Sequence, residues 1–265
     1  METFRAAPDI DVITTSIAIP GLGLIPVNSF VVHGSEPLLV DTGPVVESGA
    51  FMEVLRSVID PAELRWIWLT HPDFDHIGAL HELVESNPRL RVITTFLGVG
   101  LLGLFSPLSP DRLFLVNPGQ TITLGDRTLE AWKPPVFDNP STTALRDPAS
   151  GVVWSSDCFG AVLPEVPQRA DDIDDKTLRE GQVFWATVDS PWLHGVDPAV
   201  FGAKLQQVRA MEPAMVLSSH LPPASGAMIE RLTDALAAAP AASPFVGPDQ
   251  AAMEAMMAAM AGGPS

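Results

Sequence analysis

The sequence Thr70-His71-Pro72-Asp73-Phe74-Asp75-His76-Ile77-Gly78 contains four candidate metal ligands within six residues. It overlaps the end of the short apolar run 66–70, which is typical of a buried strand. His71 and Asp73 stand two residues apart, so an extended backbone points both side chains to the same side. The other two ligands precede a helix that the apolar spacing predicts over 77–85. The pattern therefore predicts a two-metal site at the end of a strand.

An alternative interpretation of this segment is a solvated loop that caps the following helix, with Asp75 as the N-cap residue. Isolated pairs of His and Asp are common in such loops. Four ligands packed so closely behind an apolar strand favour the metal site over the cap.

Three further short motifs occur in chain order: Leu38-Leu39-Val40-Asp41-Thr42-Gly43, Ser155-Ser156-Asp157 and Ser219-His220. The segment 71–78 resembles the His-x-His-x-Asp-His signature of the metallo-β-lactamase superfamily, with Asp73 where the second His usually stands. Asp41 stands where that superfamily has a structural residue behind the ligands, Asp157 where it has a bridging ligand, and His220 where it has its terminal histidine. The resemblance covers 38–220 and implies an α/β fold, the αββα sandwich.

A carboxylate at the position of Asp73 is similar to the flavodiiron proteins, in which a Glu commonly occurs there. Their bridging motif Asn-Asp-Ala-Phe-Gly also resembles 156–160, Ser-Asp-Cys-Phe-Gly. This chain departs from them where they have a further His, 19 residues before the bridging aspartate. The same count places Asp138 there and makes it the candidate replacement ligand. The competing interpretation is that this position is vacant or filled by water.

The resemblance implies a division of the ligands into two sets: His71, Asp73 and Asp138 on one metal ion, Asp75, His76 and His220 on the other, and Asp157 between them. We assign the catalytic role to Asp75 and Asp157. Four carboxylates against two divalent cations leave the site close to neutral, which eases its burial. Three imidazoles with oxygen donors fit iron best, with zinc or manganese as alternatives.

Two residues outside the motifs are candidates for the substrate pocket. In this fold the chain after the bridging aspartate often covers the metal ions, so Trp192 or His194 could face the substrate. The alternative is a packed loop that Trp192 anchors.

Strand and helix patterns alternate twice along the chain, and the first half ends near residue 110. Two sheets flanked by helices, an αββα sandwich, fit this order, and we place this domain at 1–235. The segment 168–176 is acidic and predicts a surface loop. The Ala/Met-rich tail 236–265 favours a helix over 251–260, and its Met residues could pack against a second subunit in a homodimer.

The composition excludes several classes of protein. The formal charge of −17 argues against surfaces that bind nucleic acid or anionic membranes. The uncharged stretches 13–35 and 92–110 are broken by Gly, Pro and polar residues, so no membrane span is predicted. The single cysteine, Cys158, excludes an internal disulfide and fits a reducing compartment. With no signal peptide at the N-terminus, we expect a cytoplasmic protein.

These observations lead to two functional hypotheses. The first is a non-haem diiron protein that binds or reduces dioxygen or a related small oxidant. Flavodiiron proteins also contain a flavodoxin domain, and none follows His220 in this sequence, so we expect a separate electron donor. The second is a dinuclear metallohydrolase for an ester, thioester, lactam or phosphodiester, with a metal-bridging hydroxide as the nucleophile. A pseudoenzyme that binds one metal ion or none is a third alternative.

Overall fold

The computed structural model describes the backbone of residues 1–261 and the side chains of residues 1–258. It contains two β-sheets. The first sheet has seven strands in chain order: β1 Glu2–Ala7, β2 Ile10–Ile19, β3 Gly23–Val32, β4 Leu38–Val40, β5 Trp66–Trp68, β6 Arg91–Thr94 and β7 Leu113–Leu115. Pairing from β1 to β4 is antiparallel, and pairing from β4 to β7 is parallel.

The second sheet has six strands, which follow the first sheet along the chain: β8 Thr121–Leu124, β9 Arg127–Trp132, β10 Ala144–Asp147, β11 Val152–Trp154, β12 Met215–Ser218 and β13 Leu221–Ser225. Their spatial order is β13-β12-β11-β10-β9-β8. Only the β11–β12 pair among them is parallel. A parallel pair needs a crossover connection, and the 60 residues between these two strands supply it together with two helices.

Seven α-helices accompany the sheets in the described part of the chain: α1 Ser48–Val58, α2 Leu80–Ser86, α3 Phe96–Leu102, α4 Asp175–Asp189, α5 Pro198–Arg209, α6 Ile229–Ala238 and α7 Gln250–Ala261. Three apolar clusters separate the layers. Trp68 and Trp154 lie in the cluster between the sheets, Leu39 packs with α1 and α2 on one outer face, and Val153 packs with α4 to α6 on the other.

The alternation of side chains along each strand produces these layers. Leu38 and Val40 point between the sheets, whereas Leu39 between them points to the helices, as the two-residue period of a strand requires. Strands buried on both faces therefore read as continuous apolar runs. The predicted αββα sandwich is confirmed.

Two local predictions were wrong. The helix expected over 77–85 begins at Leu80, because the backbone N–H groups of Gly78 and Ala79 donate to the carbonyls of Gly43 and Thr42 at 2.7 and 3.1 Å. This excludes Asp75 as its N-cap residue. The loop expected over 168–176 is shorter, since α4 begins at Asp175.

The proposed domain boundary at residue 235 falls inside α6, where Leu236 and Ala239 just after it are buried in the helical layer. The helix predicted over 251–260 corresponds to α7, and the last four residues of the tail lie outside the described residues. A role of this tail in a homodimer stays a prediction. No helix among the described residues is long and apolar enough to cross a membrane.

Candidate metal centre

The predicted ligands meet where strands of both sheets end. Loop 70–79 follows β5 in the first sheet, whereas Asp157 follows β11 and His220 follows β12 in the second. Ligand sites in α/β proteins commonly lie outside the carboxyl ends of parallel strands. Here the two sheets bring two such ends together, and the site lies at the seam between them.

The loop after β4 fixes the loop that contains the main motif. Thr42 N–H donates to the carbonyl of His76, and Val45 N–H donates to that of Phe74, each at 2.8 Å. This pairing leaves no room for a side chain at Gly78, where an added Cβ would lie 2.4 Å from the carbonyl oxygen of Pro44. The glycine at the end of the motif is therefore a packing requirement.

Asp157 occupies the centre of the site, and its two oxygens face different imidazoles. Its Oδ2 lies 3.2 Å from Nε2 of His71, and its Oδ1 lies 3.2 Å from Nε2 of His76 and 3.3 Å from Nε2 of His220. One carboxylate with its oxygens directed at two sets of ligands is the arrangement expected of a bridging group.

The remaining carboxylates complete the two sets. On one side, Asp73 and Asp138 lie 3.6 and 3.7 Å from Nε2 of His71. On the other, Asp75 lies 3.6 Å from Nε2 of His76 and 3.3 Å from Nε2 of His220. We call these sets the His71 half and the His220 half, with Asp157 common to both. The structure thus brings all seven predicted ligands together, and their metal-binding role stays a prediction.

Hydrogen bonds at Nδ1 aim each imidazole into the site. Nδ1 of His76 lies 2.9 Å from Oδ2 of Asp41, and Nδ1 of His220 lies 2.9 Å from the carbonyl oxygen of Pro26. Nδ1 of His71 lies 3.1 Å from the hydroxyl of Thr70. Such partners orient metal-binding histidines and fix the tautomer, so the predicted position of Asp41 behind the ligands agrees with its contact to His76.

The buried base of the site has the donor atoms that a metal ion requires. The Nε2 atoms of His71 and His76 are buried and make no hydrogen bond. Buried polar atoms without a partner are uncommon and call for an explanation such as an ion. Groups of three carboxylate or imidazole ligands lie within 4.8 Å of one another on both halves, so the residues present fit two metal ions.

The site is closed at its histidines and open at its carboxylates. The side chains of the three histidines and Asp157 are at most 3% exposed, whereas those of Asp73, Asp75 and Asp138 are 25–37% exposed. A small molecule could therefore reach the centre from the side of the outer carboxylates.

Charges concentrated in the site shift the pKa values of its groups. Burial disfavours a charged His76, but the carboxylates of Asp75, Asp41 and Asp157 outweigh burial and raise its pKa well above 6.5. Burial likewise disfavours ionised Asp157, yet the three imidazoles hold its pKa well below its usual range. Burial and the charge of Asp157 raise the pKa of Asp138 to about 8. Cations bound here would favour the ionised carboxylates and the neutral imidazoles.

Sequence reasoning missed Asp189, which ends α4. Its carboxylate groups with those of Asp138 and Asp157 within 4.8 Å, and burial together with Asp157 raises its pKa to about 7. A signal did exist in the sequence, since an acidic residue at the carboxyl end of a helix opposes the helix dipole. That signal required α4 to be predicted first.

The two pocket candidates separate in the structure. The rings of Trp192 and Phe137 pack at a tilted angle with centroids 5.0 Å apart, and the Trp192 indole N–H donates to the carbonyl of Phe137 at 2.8 Å, beside Asp138. His194 instead lines a cavity of about 260 Å³ with Phe201 and Leu205, and none of the seven predicted ligands lines it. The 3-10 helix Pro191–Gly195 turns the two side chains to different surroundings, so the structure does not bring His194 to the ligands.

Two mixed sheets between helical layers, with a histidine and aspartate cluster at their seam, define a metallo-β-lactamase fold with a candidate dinuclear centre. The superfamily described as "Metallo-beta-lactamase superfamily" matches residues 22–93. The matched part of the chain is similar to this superfamily, and the fold of the chain is that of the core of flavodiiron proteins.

Several relatives are similar over part of the chain. Rubredoxin-oxygen oxidoreductase of Megalodesulfovibrio gigas is 25% identical over 62% of this chain and 41% of its own length. The anaerobic nitric oxide reductase flavorubredoxin of Salmonella typhi is 26% identical over 65% of this chain and 36% of its own length. The chain spans less than half the length of the curated relatives it matches.

Solved structures agree with this chain over more of its length. Rubredoxin oxygen:oxidoreductase from Desulfovibrio gigas superposes with a TM-score of 0.73 and 19% identity, and the alignment covers 91% of this chain and 61% of that one. A fragment of a putative diflavin flavoprotein from Nostoc superposes with a TM-score of 0.72 and 17% identity, over 91% and 95% of the two chains.

Proposed function

We propose that this protein is a non-haem diiron protein that binds or reduces dioxygen or a related small oxidant. The observation that supports this most strongly is the position of Asp157, whose two oxygens face the imidazoles of separate ligand sets at 3.2 to 3.3 Å. When bound, a pair of iron ions supplies reversible one-electron chemistry at two adjacent positions, which a small oxidant requires.

The composition of the ligand set favours iron over zinc. Carboxylates outnumber imidazoles in the seven predicted ligands, whereas structural zinc sites in proteins are rich in Cys and His. Cys158 is buried next to Asp157, and burial raises the pKa of its thiol far above the usual value, so it offers no thiolate at neutral pH. Oxygen and imidazole donors together suit iron and manganese.

The names of the relatives support the choice of oxidant. One is called an oxygen oxidoreductase and another a nitric oxide reductase. Reduction of one dioxygen molecule to two water molecules consumes four electrons and four protons. Because two iron ions can store only part of these electrons, the proposed reaction includes a separate one-electron carrier as donor. The partly exposed carboxylates at the mouth of the site leave a route for a small oxidant.

Metal analysis with spectroscopy tests the proposal. The protein is isolated without added metal and under nitrogen, its iron, zinc and manganese are counted, and its absorption spectrum is followed as air is admitted. We expect close to two irons per chain and a near-ultraviolet absorption that changes with oxygen. Two zincs and no spectral change would overturn the proposal and would favour the dinuclear hydrolase.

A pair of variants makes the test specific to the site. Asp157→Ala removes the carboxylate common to both halves and should abolish both metal binding and the oxygen-dependent spectrum. Glu180→Gln is the matched control, because the Glu180 side chain is 69% exposed on α4 and forms an ion pair with Lys176. It should leave the metal content and the spectrum unchanged.

A further inference from the structure

Asp189 lies at the end of α4, where its carboxylate faces the candidate metal centre. Its Oδ2 accepts a hydrogen bond from the hydroxyl of Ser190 at 3.0 Å. The carboxylate lies within 4.8 Å of those of Asp138 and Asp157. Three carboxylates this close repel one another, and the carboxyl end of the helix adds further negative potential. A cation bound among them would offset this electrostatic repulsion.

An independent observation at the same place also indicates a cation. Nε2 of His71 is buried, makes no hydrogen bond and lies 3.2 and 3.7 Å from the carboxylates of Asp157 and Asp138. These are the same two carboxylates that approach Asp189. Asp189 and this imidazole nitrogen therefore have the same two carboxylates as neighbours.

Counting ligands shows that the two halves differ in chemistry. The His220 half offers two imidazoles and two carboxylates, those of Asp75 and Asp157. With Asp189 included, the His71 half offers one imidazole and four carboxylates. Imidazole suits zinc and iron, whereas carboxylate oxygen suits harder cations such as Mn²⁺.

We propose that Asp189 is an additional ligand of the His71 half and that it makes the two halves selective for different cations. Offered Mn²⁺ and Zn²⁺ together, the protein holds Mn²⁺ in the His71 half and Zn²⁺ in the His220 half. This inference rests on the two-metal centre of the proposed function, but not on iron or on a reaction with oxygen.

A displacement experiment with two metals tests the inference. The protein is stripped with a chelator, its fold is checked by circular dichroism, and it is loaded with two equivalents of Mn²⁺. One equivalent of Zn²⁺ is then added, and the Mn²⁺ that remains bound is examined by electron paramagnetic resonance. We expect one Mn²⁺ to remain, with hyperfine coupling to a single imidazole nitrogen, as in the His71 half. Coupling to two imidazole nitrogens would place it in the His220 half and overturn the inference.

Two variants separate the effect of Asp189 from that of α4 as a whole. Asp189→Asn keeps the shape of the side chain and its acceptor for Ser190 but removes the charge. It should weaken binding of Mn²⁺ in the His71 half by about tenfold or more and leave Zn²⁺ in the His220 half within about twofold. Glu180→Gln, on the same helix, should bind both cations as the wild type does. Wild-type behaviour of Asp189→Asn would overturn the inference.

The same titration distinguishes this inference from the proposed function. If the wild-type protein binds fewer than two cations, the dinuclear centre is contradicted and the inference about Asp189 is overturned as well. A protein that binds two cations but exchanges Mn²⁺ for Zn²⁺ equally in both halves contradicts only the selectivity, because the dinuclear centre is then still present.

Discussion

The side-chain amide of Asn139 donates its Nδ2 hydrogen to Oδ1 of Asp73 at 2.8 Å. The oxygen of the same amide accepts from the backbone N–H and the hydroxyl of Ser141, at 2.9 and 2.7 Å. Asn139 thus ties the carboxylate of the main motif to the loop that contains Asp138. It orients one outer carboxylate of the His71 half although it is not among the predicted ligands.

We expect Asn139→Ala to lower the affinity of the His71 half for metal by about 10- to 100-fold, because Asp73 loses the partner that orients it. The measurement is competition against a fluorescent chelator, with circular dichroism to verify the fold. Asn117→Ala, at an exposed loop position, is the control and should bind as the wild type does. Equal affinities for both variants would show that Asn139 has no orienting role.

Removing the charge of Asp41 should weaken the His220 half. Asp41 contacts Nδ1 of His76 and also accepts from the N–H of Thr70, and its φ of 56° is a conformation that Asn tolerates well. Asp41→Asn should therefore fold and lose about 10- to 100-fold in affinity for the metal ion of that half.

The protein offers a close control for this variant. Asp11 pairs with His33 at 2.7 Å, the same kind of carboxylate–imidazole contact, among residues that are not predicted ligands. Asp11→Asn should leave metal binding unchanged. If it reduces affinity as much as Asp41→Asn does, the effect arises from a general loss of stability.

Gly160→Ala should disturb the position of His220. A Cβ at Gly160 would lie 2.4 Å from Nε1 of Trp185 and 2.8 Å from Cβ of His220, and such overpacking costs about 1–3 kcal/mol. Thermal unfolding and metal content should both decrease. Gly202→Ala in α5 meets no atom within 4 Å and should stabilise the helix by about 0.5–1 kcal/mol. A metal content unchanged in Gly160→Ala would contradict the close packing around His220.

The stability of the metal-free protein should fall as the pH rises from 6.5 to about 8. His76 and His220 have raised pKa values in the folded protein, so their charged forms stabilise the fold at pH values below the histidine pKa of the unfolded chain. This contribution is lost as the pH rises through their pKa values in the folded protein. Asp138 and Asp189 have pKa values of about 8 and about 7 and act in the same direction. As the pH rises they ionise, and their negative charges repel the other carboxylates of the site, which destabilises the folded state.

Calorimetry with and without a chelator checks the direction in which stability changes with pH. The midpoint of unfolding of the metal-free protein should decrease over this range, and bound divalent cations should reduce the decrease, because they neutralise the carboxylates and bind the neutral imidazoles. A midpoint that rises with pH in the metal-free protein would contradict the charge distribution described for the site.

The parts of the site that were predictable are those set by local spacing. The ligands of the 71–76 segment are adjacent in sequence and follow a strand, so their proximity needs no knowledge of the fold. Asp138, Asp157 and His220 are far apart in sequence, and only the resemblance to a known family placed them together. The αββα order was predictable because strand and helix patterns alternate twice along the chain.

The errors have physical causes. The buried face of α4 includes Gly181 and Gln182, so its apolar periodicity is weak even though Asp174 caps it by accepting from the N–H groups of Lys176 and Thr177. Without α4, the position of Asp189 could not be inferred. The late start of α2 depends on long-range backbone contacts, which neighbouring residues do not specify.

The location of the ligands at the seam between the sheets has a mechanical consequence. His71 and His76 belong to the first sheet, and Asp157 and His220 belong to the second, so bound cations would fasten the two halves of the chain to each other. With one cysteine, the protein cannot form an internal disulfide. Bound metal ions would then be the cross-links between the two sheets at this end of the molecule, in addition to the apolar cluster that already packs the sheets together.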